Sequence, residues 1–110
     1  MADERIRVGF VGCGGISSLY TDIYASLVDV AQVVAVADMV DEFAKKRQVA
    51  LSEAYAVEAH RARVKASETR TEEERNHQQQ KAETAETAAA VKIRKYCTHE
   101  DLLKNGFNYK

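Results

Sequence analysis

Four of the chain's five glycines fall between positions 9 and 15, inside "IRVGFVGCGGISSLY" (Ile6 to Tyr20), and proline is absent altogether. No further glycine occurs until Gly106. The backbone therefore has one place where it bends freely, and a fold must be arranged around it. Either the chain turns tightly there, or it passes close to a ligand. The flanks are informative. Ile6, Val8, Phe10 and Val11 form a compact apolar run with a β-branched bias, as a buried parallel strand does. From Ile16 the period changes: Ile16, Leu19, Tyr20, Ile23, Tyr24, Leu27 and Val28 recur at three and four residues, one apolar helical stripe. A second apolar run, "AQVVAVAD", carries Val33, Val34 and Val36 up to an acid, Asp38. Strand, helix and strand in this order predict a βαβ unit with parallel neighbours and a right-handed crossover.

Gly12, Gly14 and Ser17 match G-x-G-x-x-(small residue), directly after the predicted strand and opening the predicted helix. Gly12 permits the sharp turn. Gly14 lets a pyrophosphate approach the backbone, and Ser17 is small enough for helix and strand to pack closely. The helix start would aim unpaired N–H groups and about half a positive charge at the phosphates. Asp38, 24 residues after Gly14, stands where an acid would accept hydrogen bonds from the two ribose hydroxyls of an adenosine. The same carboxylate repels a 2′-phosphate. Met39 and Val40 follow it rather than an arginine, so NAD is favoured over NADP. The competing reading is a βαβ turn that needs glycine for geometry alone and binds nothing.

Beyond Asp38 the pattern is helical: Phe43, Arg47, Ala50, Leu51, Ala54, Val57 and Val64 keep a loose helical spacing, with Arg47 the polar intruder. Nothing in the usual punctuation ends this helix. From Ser67 to Thr84, "SETRTEEERNHQQQKAET", the only apolar residue is Ala82. A helix there has no face to bury and no a/d seam, which predicts a solvated helix or disorder, with a partner-binding arm as the alternative. In "AAAVKIRKYCT", Val91 and Ile93 alternate with basic residues, as in a short edge strand. Thr98 and Asp101 have capping-box spacing, Leu102 and Leu103 begin an apolar face, and Asn105 with Gly106 would close that helix. Phe107 and Tyr109 look like the approach to another strand.

The fold class expected is α/β: a partial Rossmann (βαβαβα) parallel sheet with a long helical or polar insertion. The corresponding division is 1–66 for the first βαβα, 67–90 for the polar helical or disordered insertion, and 91–110 for the third strand and capped helix. One mononucleotide half leaves open sheet edges, so association into an oligomer stays available.

Bulk properties narrow the function classes. A net charge of −1 over 110 residues argues against a general electrostatic grip on nucleic acid or an acidic membrane. No apolar run approaches the roughly 20 residues that span a bilayer. The charged start, "MADERIR", has no signal-peptide pattern, and a cytoplasmic location is expected. Cys13 and Cys97 have no CxxC spacing, and a reduced pair is favoured over a disulfide. His60, His77 and His99 show no metal-ligand spacing, so no metal site is expected.

With "IRVGFVGCGGIS", "AQVVAVADMVDEFAKKR" and "KYCTHEDLLKN", the chain resembles the N-terminal part of the glucose–fructose oxidoreductase/inositol dehydrogenase (Gfo/Idh/MocA) family over about two-thirds of its length. The resemblance implies a nucleotide-binding domain followed by a substrate domain. It also implies hydride transfer between NAD(P) and the hydroxyl of a sugar or cyclitol. Carried over by position, Gly12, Cys13, Gly14, Gly15 and Ile16 would line the pyrophosphate, and Asp38 with Met39 would hold the adenosine ribose. Neither the family's lysine-bearing segment nor its substrate domain is found in these residues, which reads as a truncated gene product. No general acid or base is assigned, and the chain alone is expected to be inactive. Two other readings compete: a non-catalytic, helix-rich interaction module, and a Rossmann module for another adenosine ligand such as S-adenosylmethionine.

Overall fold

The computed structural model describes residues 4–14, 17–96 and 99–104. In chain order these form β1 (Ile6–Val11), α1 (Ser17–Ser26), β2 (Ala31–Ala37), α2 (Asp41–Glu68), α3 (Glu72–Ala90), β3 (Arg94–Tyr96) and the short α4 (His99–Lys104). The three strands make one parallel sheet in the order β1-β2-β3. The central strand β2 is buried along almost its whole length, as its unbroken apolar sequence requires. The ladder between β1 and β2 shifts between Val8 and Gly9, which pair with Val33 and Ala35. The edge strand β1 is exposed at Ile6, Arg7 and Val11.

Two apolar clusters organise the molecule. In the first, Phe10, Cys13, Val33 and Val36 of the sheet and its turn meet Ala44 and Leu51 of α2 and Ile93, with Val8 and Tyr24 packed alongside. Phe10 and Tyr24 meet edge to face, their centroids 5.6 Å apart. In the second cluster, Ala25 and Val28 from the α1 region, Tyr55 and Ala59 from α2, and Ala85 and Ala88 from α3 come together. Tyr55 links the layers. Its ring is fully buried, and its hydroxyl accepts the Val33 N–H of β2 at 2.9 Å. Gln48 Nε2 similarly donates to the Ile93 carbonyl at 2.6 Å, tying α2 to the approach of β3.

The α/β partial Rossmann expectation, with its helical or polar insertion, is corrected here. The described residues are helix-rich, 64% helical, and do not clearly show a partial Rossmann layout. Its most extensive pairing is not strand on strand but α2 on α3. The stretch expected to be solvated or disordered supplies most of α3, which folds back along the far half of α2. The physical reason is alanine. Ala59, Ala62 and Ala66 of α2 and Ala82, Ala85 and Ala88 of α3 are all buried, so two small-residue stripes face each other and the helices need no large side chain between them. Lys81 and Glu58, both largely buried, pair across the seam at 3.5 Å, and Arg63 pairs with Glu86 nearer its rim. The reversal needs neither glycine nor proline. Thr69 ends α2 in an extended conformation, and Thr71 caps α3 by accepting the Glu74 N–H, with Glu72 and Glu73 in the first turn.

The helical stripes also differ in register from the sequence expectation. In α1 the buried positions are Ser17, Thr21 and Ala25, whereas Leu19, Tyr20 and Ile23, and Leu27 just after the helix, are exposed. In α2, Phe43, Val57 and Val64 are exposed, and the buried line runs through Ala44, Leu51, Tyr55, Ala59, Ala62 and Ala66. Small residues face inward because the neighbouring elements pack close. The expectations for Cys97, Thr98, Asn105, Gly106, Phe107 and Tyr109, and for the side chain of Leu102, lie outside the described residues. Among the described residues, no helix is long and apolar enough to cross a membrane.

Candidate functional site at the glycine turn

The turn between β1 and α1 is held from below by β2. Gly12 N–H donates to the Ala37 carbonyl at 2.9 Å, extending the parallel ladder one residue past the strand. Gly12 then takes φ +82°, a conformation that a residue with a Cβ adopts only under strain. At Gly12 and Gly14 alike a Cβ would meet no atom within 4 Å, so the main chain is uncovered at both; Gly14 differs only in lacking the positive φ. The α1 side closes neatly: Ser17 N–H and Ser17 Oγ both donate to the Gly14 carbonyl, at 3.0 and 2.6 Å.

Asp38 stands at the same end of the sheet, beside this turn. Its Oδ2 accepts the Cys13 N–H at 2.7 Å and its Oδ1 accepts the Val40 N–H at 2.8 Å. These two bonds, the Cys13 one first, hold its carboxyl below the usual carboxylate range, so it is an anion at neutral pH. Each oxygen keeps a second lone pair, and the residue is partly exposed. The carboxylate thus clasps the turn while retaining two acceptor positions for other donors.

Cys13 fills the floor. It is a free thiol, 4% exposed, and its Sγ donates to the Ala37 carbonyl at 3.6 Å. Burial, then the Asp38 charge, pushes this thiol up from its ordinary value against the opposing pull of Arg47 and the Ala37 bond. Cys13 is therefore a packing residue that offers its backbone N–H, not a nucleophile.

Of the residues singled out by the sequence, Gly12, Cys13, Gly14 and Asp38 meet in one place. Met39 is 88% exposed next to Asp38. Gly15 and Ile16 lie outside the described residues. A cavity of about 250 Å³ opens beside the turn, between β1 and α1, lined by Val8, Phe10, Gly12, Ser17, Tyr20 and Tyr24. A hollow of about 490 Å³ between α2 and α3, around Arg63, Arg75 and Gln79, is formed by none of the turn residues. Sequence reasoning missed the contribution of α2 to the turn. Arg47 reaches Thr21 of α1 at 2.9 Å, and the only sign of it in the sequence is an arginine where the helical spacing calls for an apolar residue.

A glycine-bearing turn lies before the ten-residue helix α1, with a carboxylate that is ionised at neutral pH alongside. Compared with known proteins, the chain matches no family model, no curated protein and no solved structure.

Proposed function

We propose that the β1–α1 turn binds the adenosine diphosphate half of NAD, and that the chain is the cofactor-holding portion of an oxidoreductase of the Gfo/Idh/MocA kind, acting on a sugar or cyclitol hydroxyl. The single observation that supports this reading is the Asp38–Cys13 bond, by which the acid after β2 lies directly against the main chain of the glycine turn. The reading rests on this turn and not on the fold class. NAD supplies hydride-transfer chemistry when bound. The chain's own part is to present the Gly12–Gly14 backbone and the α1 start to the diphosphate, and the free lone pairs of Asp38 to the ribose hydroxyls. The Asp38 charge disfavours a 2′-phosphate, so NAD is preferred to NADP.

Isothermal titration of the chain with NAD and with NADP tests this. NAD should bind more tightly than NADP. Asp38→Ala should weaken NAD by about ten- to a hundredfold, the worth of one charge-assisted bond, and narrow the gap to NADP. Absence of any NAD heat at millimolar concentration, or an Asp38→Ala variant with unchanged preference, would reject the reading.

A second reading, a helix-rich interaction module, draws on the outward face of α1, where Leu19, Tyr20 and Ile23 are exposed. Polar replacements at Leu19 and Ile23 should then abolish association measured by light scattering, while leaving NAD heats untouched.

A further inference from the structure

Arg47 is out of place by every stability criterion. It sits on α2 where an apolar side chain would continue the stripe, and its Nε is buried with no hydrogen-bond partner among the described residues. Burying a guanidinium N–H unpaired is unfavourable, and an aliphatic side chain would avoid the loss. What the side chain does instead is touch α1. Its Nη1 donates to Thr21 Oγ1 at 2.9 Å. Thr21 Oγ1 donates to the Ser17 carbonyl at 2.8 Å, and Ser17 Oγ donates to the Gly14 carbonyl at 2.6 Å. Thr21 and Ser17 are each only 3% exposed. The direction of this relay is fixed, because arginine has no acceptor: the Thr21 hydroxyl must accept from Arg47 and spend its own proton on Ser17.

We propose that Arg47 is a positioning residue for the nucleotide turn: from α2 it holds the first turn of α1, through Thr21 and Ser17, against the Gly14 carbonyl. The inference rests on the nucleotide-binding reading given above and deepens it. The first two bonds form a series, guanidinium to Thr21 hydroxyl to Ser17 carbonyl, and fix the Ser17 main chain; the Ser17 hydroxyl, on the residue so held, then makes a separate bond to the Gly14 carbonyl. Arg47 also acts on the turn through space, since its charge is felt at the neighbouring Cys13 thiol. A cation near a helix start is unfavourable for the helix by itself and becomes favourable once an anion is bound there. The arrangement costs the empty protein something that a bound diphosphate returns.

The test uses the full chain, with NAD as the probe and two readouts. Titration calorimetry compares wild type with Arg47→Met, Arg47→Lys, Thr21→Val and the Arg47→Met/Thr21→Val double variant. Amide hydrogen exchange at Ser17, whose N–H is bonded to Gly14, is followed without nucleotide. Arg47→Met and Thr21→Val should each weaken NAD by about five- to tenfold, and the double variant by no more than the weaker single one, because both break the same relay. Arg47→Lys, which keeps one donor and the charge, should recover most of the affinity. Ser17 exchange should accelerate in the methionine variant while the thermal midpoint stays level or rises. Additive losses, or Met-variant binding equal to wild type, overturn the proposal. If wild type gives no NAD heat, the nucleotide reading fails, and the exchange arm alone decides whether Arg47 holds the turn. If Arg47→Met does not fold, Thr21→Val and Arg47→Lys carry the same comparison.

Discussion

Two glycines two positions apart have opposite requirements, and single substitutions separate them. Gly12 is at φ +82°, so Gly12→Ala should cost about 1–2 kcal/mol of stability, read as a lower denaturant midpoint, whatever the ligand does. Gly14 has open space where a Cβ would go, so Gly14→Ala should leave stability within about 0.5 kcal/mol while weakening NAD at least tenfold by standing in the path of the diphosphate. An affinity unchanged in Gly14→Ala would mean the bare backbone serves geometry only. The bend at Gly12 was legible from residue type and spacing, as was the placement of Asp38 beside the turn. The bond from Asp38 to Cys13 was not legible, because the spacing from Gly14 to an acid says nothing about which backbone N–H that acid reaches.

At the scale of elements, β1, α1, β2 and α2 followed from periodicity, but α3 and the inward face of each helix did not. Hydropathy ranks Leu19, Ile23, Phe43 and Val57 above alanine, serine and threonine, yet the closely packed interfaces select the smaller residues. The α2–α3 seam makes this testable. Ala85 is fully buried between helices held close by alanine, so Ala85→Leu should destabilise the chain by about 1–3 kcal/mol in chemical denaturation, although leucine is the more apolar residue. A solvated α3 would instead tolerate it. Tyr55→Phe leaves the Val33 N–H buried without its acceptor and should cost about 1–3 kcal/mol by the same measurement. One sign of α3 was present and unread: Thr71 and Glu74 have the same capping spacing that marked the last helix.

For the whole molecule, the long helical hairpin stretches the shape to 47 × 29 × 21 Å, with a radius of gyration of 14.9 Å against about 13 Å for a compact domain of this length. Deleting 67–84 therefore does not trim an arm. It removes Ala82 and most of α3, and thermal unfolding should lose its cooperativity. Acid should act on the entire fold as well. Asp38 is held low by the Cys13 and Val40 N–H groups, Asp41 chiefly by its bond to Lys95, and Glu86 chiefly by Arg63. A carboxylate whose folded pKa lies below its unfolded one stabilises the protein above the unfolded value, near 4, and that stability disappears as pH falls through the folded value. The thermal midpoint should be flat between about pH 5 and about pH 8, and drop below about pH 4. Added salt should erode the exposed Asp41 and Glu86 contributions and spare that of Asp38, which comes from backbone bonds. By itself, the amino-acid sequence determined the glycine bend after the first strand, the two apolar strands, the helices that follow them, and that an acid follows the second strand, because each of these depends on local conformational preference. Only the tertiary structure decided that alanine stripes would zip α2 to α3 into the dominant unit and that Arg47 would reach the turn from another helix. Both depend on how closely distant segments approach, and no local periodicity carries that distance.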